Sequence, residues 1–177
     1  MTFRLFIKWL LFPGVNLHSR LRFAEIPRHF GKPEAGVRRT VLDAGCGNGM
    51  LSYRSYLLGN TVRGLSIKEP EVAGCRALFN AYLRLPEEKI SFRKQNLYDA
   101  RFEPCAFDEI ICTEVLEHIV RHDAVCGKFW HALKPGGILH ITAPNARHPY
   151  NQQFPLDAGE NGGHVRTGYT PDRKSVV

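Results

Sequence analysis

Thr40-Val41-Leu42-Asp43-Ala44-Gly45-Cys46-Gly47-Asn48-Gly49 decides how the chain is read: a short apolar run ends on an acid and breaks into three alternating glycines. The apolar run predicts a buried strand, and the glycines allow a sharp turn into a helix starting near Met50, with backbone N–H groups turned toward a ligand. A dinucleotide fingerprint would place its third glycine at position 50. That position is Met50, and the glycine stands at 49. The spacing therefore disfavours a pyrophosphate and leaves another nucleotide-type ligand, or an ordinary strand-turn-helix that uses glycine for geometry alone.

Composition bounds the rest. A chain of 177 residues with 44% hydrophobic content suits one domain with a real core. The five cysteines, Cys46, Cys75, Cys105, Cys112 and Cys126, have neither metal-ligand nor redox spacing, which fits a reducing compartment and a cytoplasmic location. The net charge of +7 is uneven: residues 1–39 hold eight Lys or Arg against two Glu, and the remainder sixteen against fifteen. A nearly neutral core domain argues against a nucleic-acid partner and leaves the N-terminal segment to meet something acidic.

Phe3 to Phe12 (FRLFIKWLLF) is apolar, with Arg4 and Lys8 four residues apart. It is too short and too charged to span a bilayer, and Lys8 with no cleavage site makes it a poor signal peptide. It reads as a helix packed across the mouth of the site, or as an interfacial helix giving peripheral membrane contact through residues 3–12. Proline and glycine through residues 13–39 predict a connector with a short helix over Ser19 to Ile26. Beyond the glycine loop come a helix over Met50 to Leu58, stopped by Gly59-Asn60, and a strand over Thr61 to Ile67. Ser66-x-x-Glu69 has the form of a capping box, although Pro70 equally favours a helix beginning near Glu69. Val72, Cys75, Phe79, Tyr82 and Leu83 give that helix one buried face ending before Pro86. Further strands fall at Lys89 to Gln95 and Phe107 to Thr113, then a helix over 121–133, a turn at Lys134-Pro135-Gly136-Gly137 and a fifth strand from Ile138 to Thr142.

Asp43, Gly45, Gly47 and Gly49 form D-x-G-x-G-x-G, which resembles motif I of the class I S-adenosylmethionine-dependent methyltransferases. FDEIICTEVLEHI (Phe107 to Ile119) and LKPGG (Leu133 to Gly137) are similar to later motifs of the group that includes the quinone-biosynthesis enzymes. The resemblance runs in correct order over about residues 39–145. It implies an α/β, Rossmann-like doubly wound sheet with five parallel strands evident. The antiparallel hairpin that closes the seven-stranded family sheet is not found in Ala143 to Val177, where Tyr169-Thr170-Pro171-Asp172 starts a helix that is abandoned. The expected organisation is a basic, partly helical segment over 1–38 and a C-terminally incomplete methyltransferase domain over 39–177.

The same resemblance implies S-adenosylmethionine as cofactor. Asp43, Gly45, Cys46, Gly47 and Gly49 would hold its methionine side, Ser66 and Ile67 the ribose, Asn96 and Leu97 the adenine, with Thr113 and Glu114 also lining the cofactor. Ser66 departs from the family's usual ribose acid; GLSIKEPE looks like a subgroup in which neighbouring polar or backbone groups serve. Asn96 and Asp99 also read as turn formers at a strand end. His118 is the candidate acid-base residue, or a structural histidine bonding a carbonyl. Glu114, Glu117 and His118, at helical spacings of three and four, could join His164 in a metal site similar to that of the small-RNA 2′-O-methyltransferases, orienting an acceptor hydroxyl. The implied acceptor is a small or lipid-linked molecule; the other reading is a non-catalytic cofactor- or partner-binding module.

Overall fold

Alternation along the strands divides the apolar residues between two faces of one sheet. In β1 (Thr40–Ala44) Val41 enters one core cluster while Leu42 and Ala44 enter the other. In β4 (Phe107–Thr113) Ile111 joins Val41, and Phe107, Ile110 and Cys112 join Leu42. A period of two with both faces apolar is what a parallel sheet covered on both sides requires. The computed structural model describes residues 7, 10–14, 16–35, 37–153, 155–157, 159 and 162–170. Among these, the sheet has five strands in the order β3-β2-β1-β4-β5, all parallel. The others are β2 (Thr61–Ser66), β3 (Ile90–Lys94) and β5 (Leu133–Thr142).

The order turns back at β1. Chain progress runs outward to β3 on one side and then resumes at β4 on the other, so the crevice between the C-terminal ends of β1 and β4 is the switch point where open α/β sheets bind ligands. Helix α1 (Leu17–Glu25) precedes the sheet, with Asn16 accepting the Ser19 N–H at 2.7 Å as its N-cap. Helices α2 (Met50–Leu57) and α3 (Glu69–Cys75) cover one face through Leu51, Val72 and Cys75, and α4 (His122–Ala132) covers the other through Val125, Phe129 and Ala132.

Of the two alternatives at Ser66 the helix start near Glu69 holds, and one further local reading is corrected. Ser66 and Glu69 do not form a capping box: the helix starts at Glu69 with Pro70 in its first turn, where no N–H is needed, and Lys68 is the N-cap residue. Lys134 to Gly137 is not a turn preceding the last strand but an irregularity inside it. Five steps along β5 from Leu133 to Ile138 oppose two along β4 from Phe107 to Glu109, because Pro135 has no N–H to give the ladder. The helix expected through Val72 to Leu83 keeps its apolar face but continues past α3 in π-helical geometry over Arg76–Tyr82.

The N-terminal segment is fastened to this sheet. Glu109, fully buried in β4, accepts the Gly31 N–H at 3.0 Å and pairs with Arg39 at 3.3 Å and His140 at 2.7 Å. A buried carboxylate tolerates desolvation only when paired in this way. The helix expected over Phe3 to Phe12 lies largely outside the described residues. Its last residue, Phe12, packs edge-on against Phe23, Tyr53 and Phe79 at 5.7 to 5.8 Å. Among the described residues, no helix is long and apolar enough to cross a membrane.

Candidate active site

A cavity of about 400 Å³ opens at the C-terminal edge of the sheet. Asp43, Gly45, Cys46, Gly47, Ser66, Ile67, Asn96, Leu97, Thr113, Glu114 and His118 all line it. Gly49 does not, because its open side faces the core: a Cβ there would come within 2.6 Å of Phe79 and 3.1 Å of Cys75 Sγ, at φ +75°. Its glycine requirement is one of packing beneath the loop.

Asp43 is buried at the tip of β1 and accepts the Ser52 hydroxyl at 2.6 Å. Burial pushes its carboxyl up from 3.8 to about 6, against the lowering effect of the Ser52 bonds. A buried acid so poised stabilises a cationic ligand beside it. Gly45, at φ +87°, passes so close to Val115 that an added Cβ would sit 2.2 Å from its Cγ2. The loop therefore runs directly beneath the segment that follows β4.

At β3 the Asn96 side-chain oxygen accepts the Tyr98 N–H at 2.9 Å, and the Asn96 carbonyl accepts N–H groups from Asp99 and Ala100. The turn-forming role is thus real for Asn96, and its amide N–H₂ is the part left for the cavity. At β2, Ser66 donates to Glu71 at 2.6 Å. Glu71 lines the cavity and was missed from sequence. Once Pro70 sets the helix start at Glu69, the third helical residue is the acid able to reach back to Ser66.

The segment after β4 differs from expectation. Glu114 has φ +55°, and only a three-residue 3₁₀ turn, Leu116–His118, follows. The left-handed residue breaks the helical spacing that would have put Glu114 beside Glu117 and His118. Glu114 turns instead to Thr142, which donates to it at 3.1 Å, and to Arg22 of α1 at 3.7 Å. The four-residue metal set is therefore corrected to three: ligand atoms of Glu117, His118 and His164 all lie within 4.8 Å of one another. His118 Nδ1 donates to the Gly163 carbonyl at 2.9 Å, so in the neutral tautomer it is Nε2 that has the lone pair. Glu117 is buried, its Oε2 has no hydrogen bond among the described residues, and burial raises its carboxyl from 4.5 to about 7, with the charge of Glu114 adding to the effect. His164 is held below its ordinary value by burial and then by the neighbouring His118.

Two further segments close this side. α1 contributes Ser19 and Arg22 to the cavity wall, a role the sequence reading gave to residues 3–12. From the C-terminal side, Val165 N–H bonds the Glu117 carbonyl at 2.8 Å, and Arg166 bonds the Leu116 and Val120 carbonyls and the Tyr169 hydroxyl. Neither element carries a motif; the sequence offered the short helix over Ser19 to Ile26 and His164, but not the wall residues Ser19 and Arg22 or the anchoring Arg166.

A parallel sheet with this order, a glycine loop after β1 and a cavity spanning the ends of β1 to β4 defines the class I methyltransferase fold. The methyltransferase-domain family matches residues 37–167, and the chain belongs to that family. It is 33% identical over 124 residues to the human mitochondrial ubiquinone biosynthesis O-methyltransferase, covering 68% of this chain and 32% of that protein. It is also 33% identical over 129 residues to the ubiquinone biosynthesis O-methyltransferase of Dechloromonas aromatica, covering 71% and 52% respectively. The chain thus spans about a third to a half of the curated relatives it matches. Among solved structures, an S-adenosylmethionine-dependent methyltransferase from Mesorhizobium loti superposes with a TM-score of 0.62 at 19% identity, covering 74% of this chain and 56% of that one.

Proposed function

We propose that the chain is an S-adenosylmethionine-dependent O-methyltransferase acting on a small aromatic or lipid-linked hydroxyl compound of the quinone-precursor class. The observation that carries this reading is the single cavity edge on which buried Asp43, the glycine loop and His118 meet. The relatives named for ubiquinone biosynthesis support the choice of acceptor. The cradle suits the cofactor: a desolvated carboxylate faces the cavity where an ammonium group would sit, and Gly45 leaves no room for a side chain between the loop and Val115. When bound, S-adenosylmethionine supplies an activated methyl group on a positively charged sulfur.

The chain's own part is to hold, align and exclude water. Asp43 would take the cofactor ammonium, Leu97 and Ile67 would offer apolar surface to the base and ribose, and the Asn96 amide would donate to the adenine edge. His118, its Nδ1 fixed on the Gly163 carbonyl, would accept at Nε2 the proton of an acceptor hydroxyl. The exposed leucines 10, 11, 17 and 21 beside the basic N-terminal segment would bring the mouth to a lipid surface.

A second reading is supported by the close approach of Glu117, His118 and His164. There His118 Nε2 joins Glu117 and His164 in holding a divalent ion, with the Nδ1 bond to Gly163 orienting the ring as an outer-shell carbonyl does in metal sites. The ion would then lower the pKa of the hydroxyl in place of a histidine base.

Calorimetric titration with S-adenosylmethionine and S-adenosylhomocysteine, beside Asp43→Ala and Gly45→Arg controls, tests the cofactor site. Methylation of catechol-type acceptors with and without chelator then separates the two readings. Cofactor binding without turnover on any acceptor would favour a non-catalytic binding module.

A further inference from the structure

Sheets of this topology usually end β2 on an acid, about 20 residues past the glycine loop, that bonds the ribose hydroxyls of a bound nucleotide. Here that place is Ser66, only 5% exposed. Its single proton is already given to Glu71 Oε2 at 2.6 Å, and its oxygen accepts the Lys68 N–H at 3.1 Å. A hydroxyl has one donor and two acceptor positions, so Ser66 has one lone pair left and cannot receive two vicinal hydroxyls. Glu71 can. Its carboxylate has about four acceptor positions, of which Ser66 occupies one, while Lys68 Nζ stands 3.7 Å from Oε1. Among the described residues, three carboxylates line the cavity: Asp43 stands near the end of β1, Glu114 follows β4, and Glu71 alone stands on the β2 side.

We infer that Glu71, anchored by Ser66, is the residue that binds the vicinal hydroxyls of the cofactor ribose. The acid has moved from the strand end to the first turn of α3, and Ser66 serves as its positioning residue. Lys68 balances its charge from the solvent side. This assignment rests on the cofactor reading above, and it adds a residue that motif I does not contain.

The test is calorimetric titration of the whole chain with S-adenosylhomocysteine and with its 2′,3′-dideoxy analogue. The variants are Glu71→Ala, Glu71→Gln and the double variant Ser66→Asp with Glu71→Gln; circular dichroism checks the fold of each. Glu71→Ala should weaken S-adenosylhomocysteine about 10- to 100-fold, the range for a lost charge-assisted pair of hydrogen bonds, and change the dideoxy analogue less than about twofold. The double variant, with an acid restored at the strand end, should recover most of the loss. Equal weakening of both ligands would make Glu71 structural and overturn the assignment, as would S-adenosylhomocysteine binding indifferent to Glu71. A folded wild-type chain that binds neither ligand would overturn the cofactor reading together with this one.

Discussion

The two ends of the cavity are built differently. The proposed cofactor side comes from short local segments, each a strand tip and the turn after it: residues 43–49, 66–71 and 96–98. The proposed acceptor side is one left-handed residue and one 3₁₀ turn held by distant partners. Glu114 is tied to Arg22 and Thr142, and His118 to Gly163, which is 45 positions away. Local geometry leaves a motif in the sequence; geometry imposed from elsewhere leaves isolated polar residues. The first side is built from the sheet's own strand ends, and the second depends on α1 and the segment around Gly162 being docked.

The largest effect is expected where the halves touch. Gly45→Ala forces a Cβ to within 2.2 Å of Val115 at φ +87°. It should abolish measurable S-adenosylhomocysteine binding by calorimetry and lower the melting temperature. Adding Val115→Ala removes the clashing methyl but not the left-handed strain, which costs about 1–2 kcal/mol. The double variant should therefore recover folding more fully than binding. Full recovery of both would mean that only the contact with the acceptor side matters.

Glu117→Gln should act on the acceptor side alone. Loss of one ligand or outer-shell group of a metal site typically costs 10–100-fold. Methyl transfer should fall by about that factor while the affinity for S-adenosylhomocysteine stays within twofold. If chelator has no effect on the wild-type chain, the metal reading is withdrawn and His118 acts as a simple base. A matching loss of cofactor affinity would break the distinction between the two sides.

Acid should expose the cofactor side. Below about pH 6 the buried Asp43 becomes protonated and loses its attraction for an ammonium group, so affinity should fall up to about tenfold per pH unit. Asp43→Asn should be weak at every pH and flat over this range. In the ligand-free chain the sign is opposite. Because the folded carboxyl holds its proton more tightly than the unfolded one, stability declines as pH rises from about 4 to about 6, by an order of 3 kcal/mol, and is level above that. Asp43→Asn should remove this slope from denaturant titrations made across the same range.

The contrast also explains what could be read from the chain. Val41 to Ala44 and the five strands were legible because a parallel sheet buried on both faces needs contiguous apolar runs. Asp43 and the glycine loop were legible because the chain must turn at once beneath the ligand. Glu71 was hidden by one proline: Ser66 and Glu69 satisfy a capping pattern, and only the helix start imposed by Pro70 sends a different acid back to the strand end. Glu114 was misplaced because helical spacing was assumed through Glu114 to His118, whereas the β4 to α4 connection bends there at φ +55° and is held by Thr142. His164 could be proposed as a partner of His118, but its approach depends on Gly163 and Val165 bonding the segment after β4, which no periodicity encodes.

The smallest expected effect concerns whether α1 is a fixed wall or a movable one. Arg22 reaches Glu114 at 3.7 Å, with about a third of each side chain exposed, so the pair is worth at most about 1 kcal/mol in dilute salt. Arg22→Ala should lower the melting temperature by only a few degrees, and the difference should vanish in 1 M salt, where the screening length is about 3 Å. Its effect on KM for the acceptor should exceed its effect on cofactor affinity, because Glu114 stands beyond β4 rather than over the glycine loop. A larger, salt-independent loss would show that α1 is held by more than this pair, through Phe23 against Phe12 and the core beneath them. The acceptor side would then be as rigid as the cofactor side, despite being assembled from distant parts of the chain.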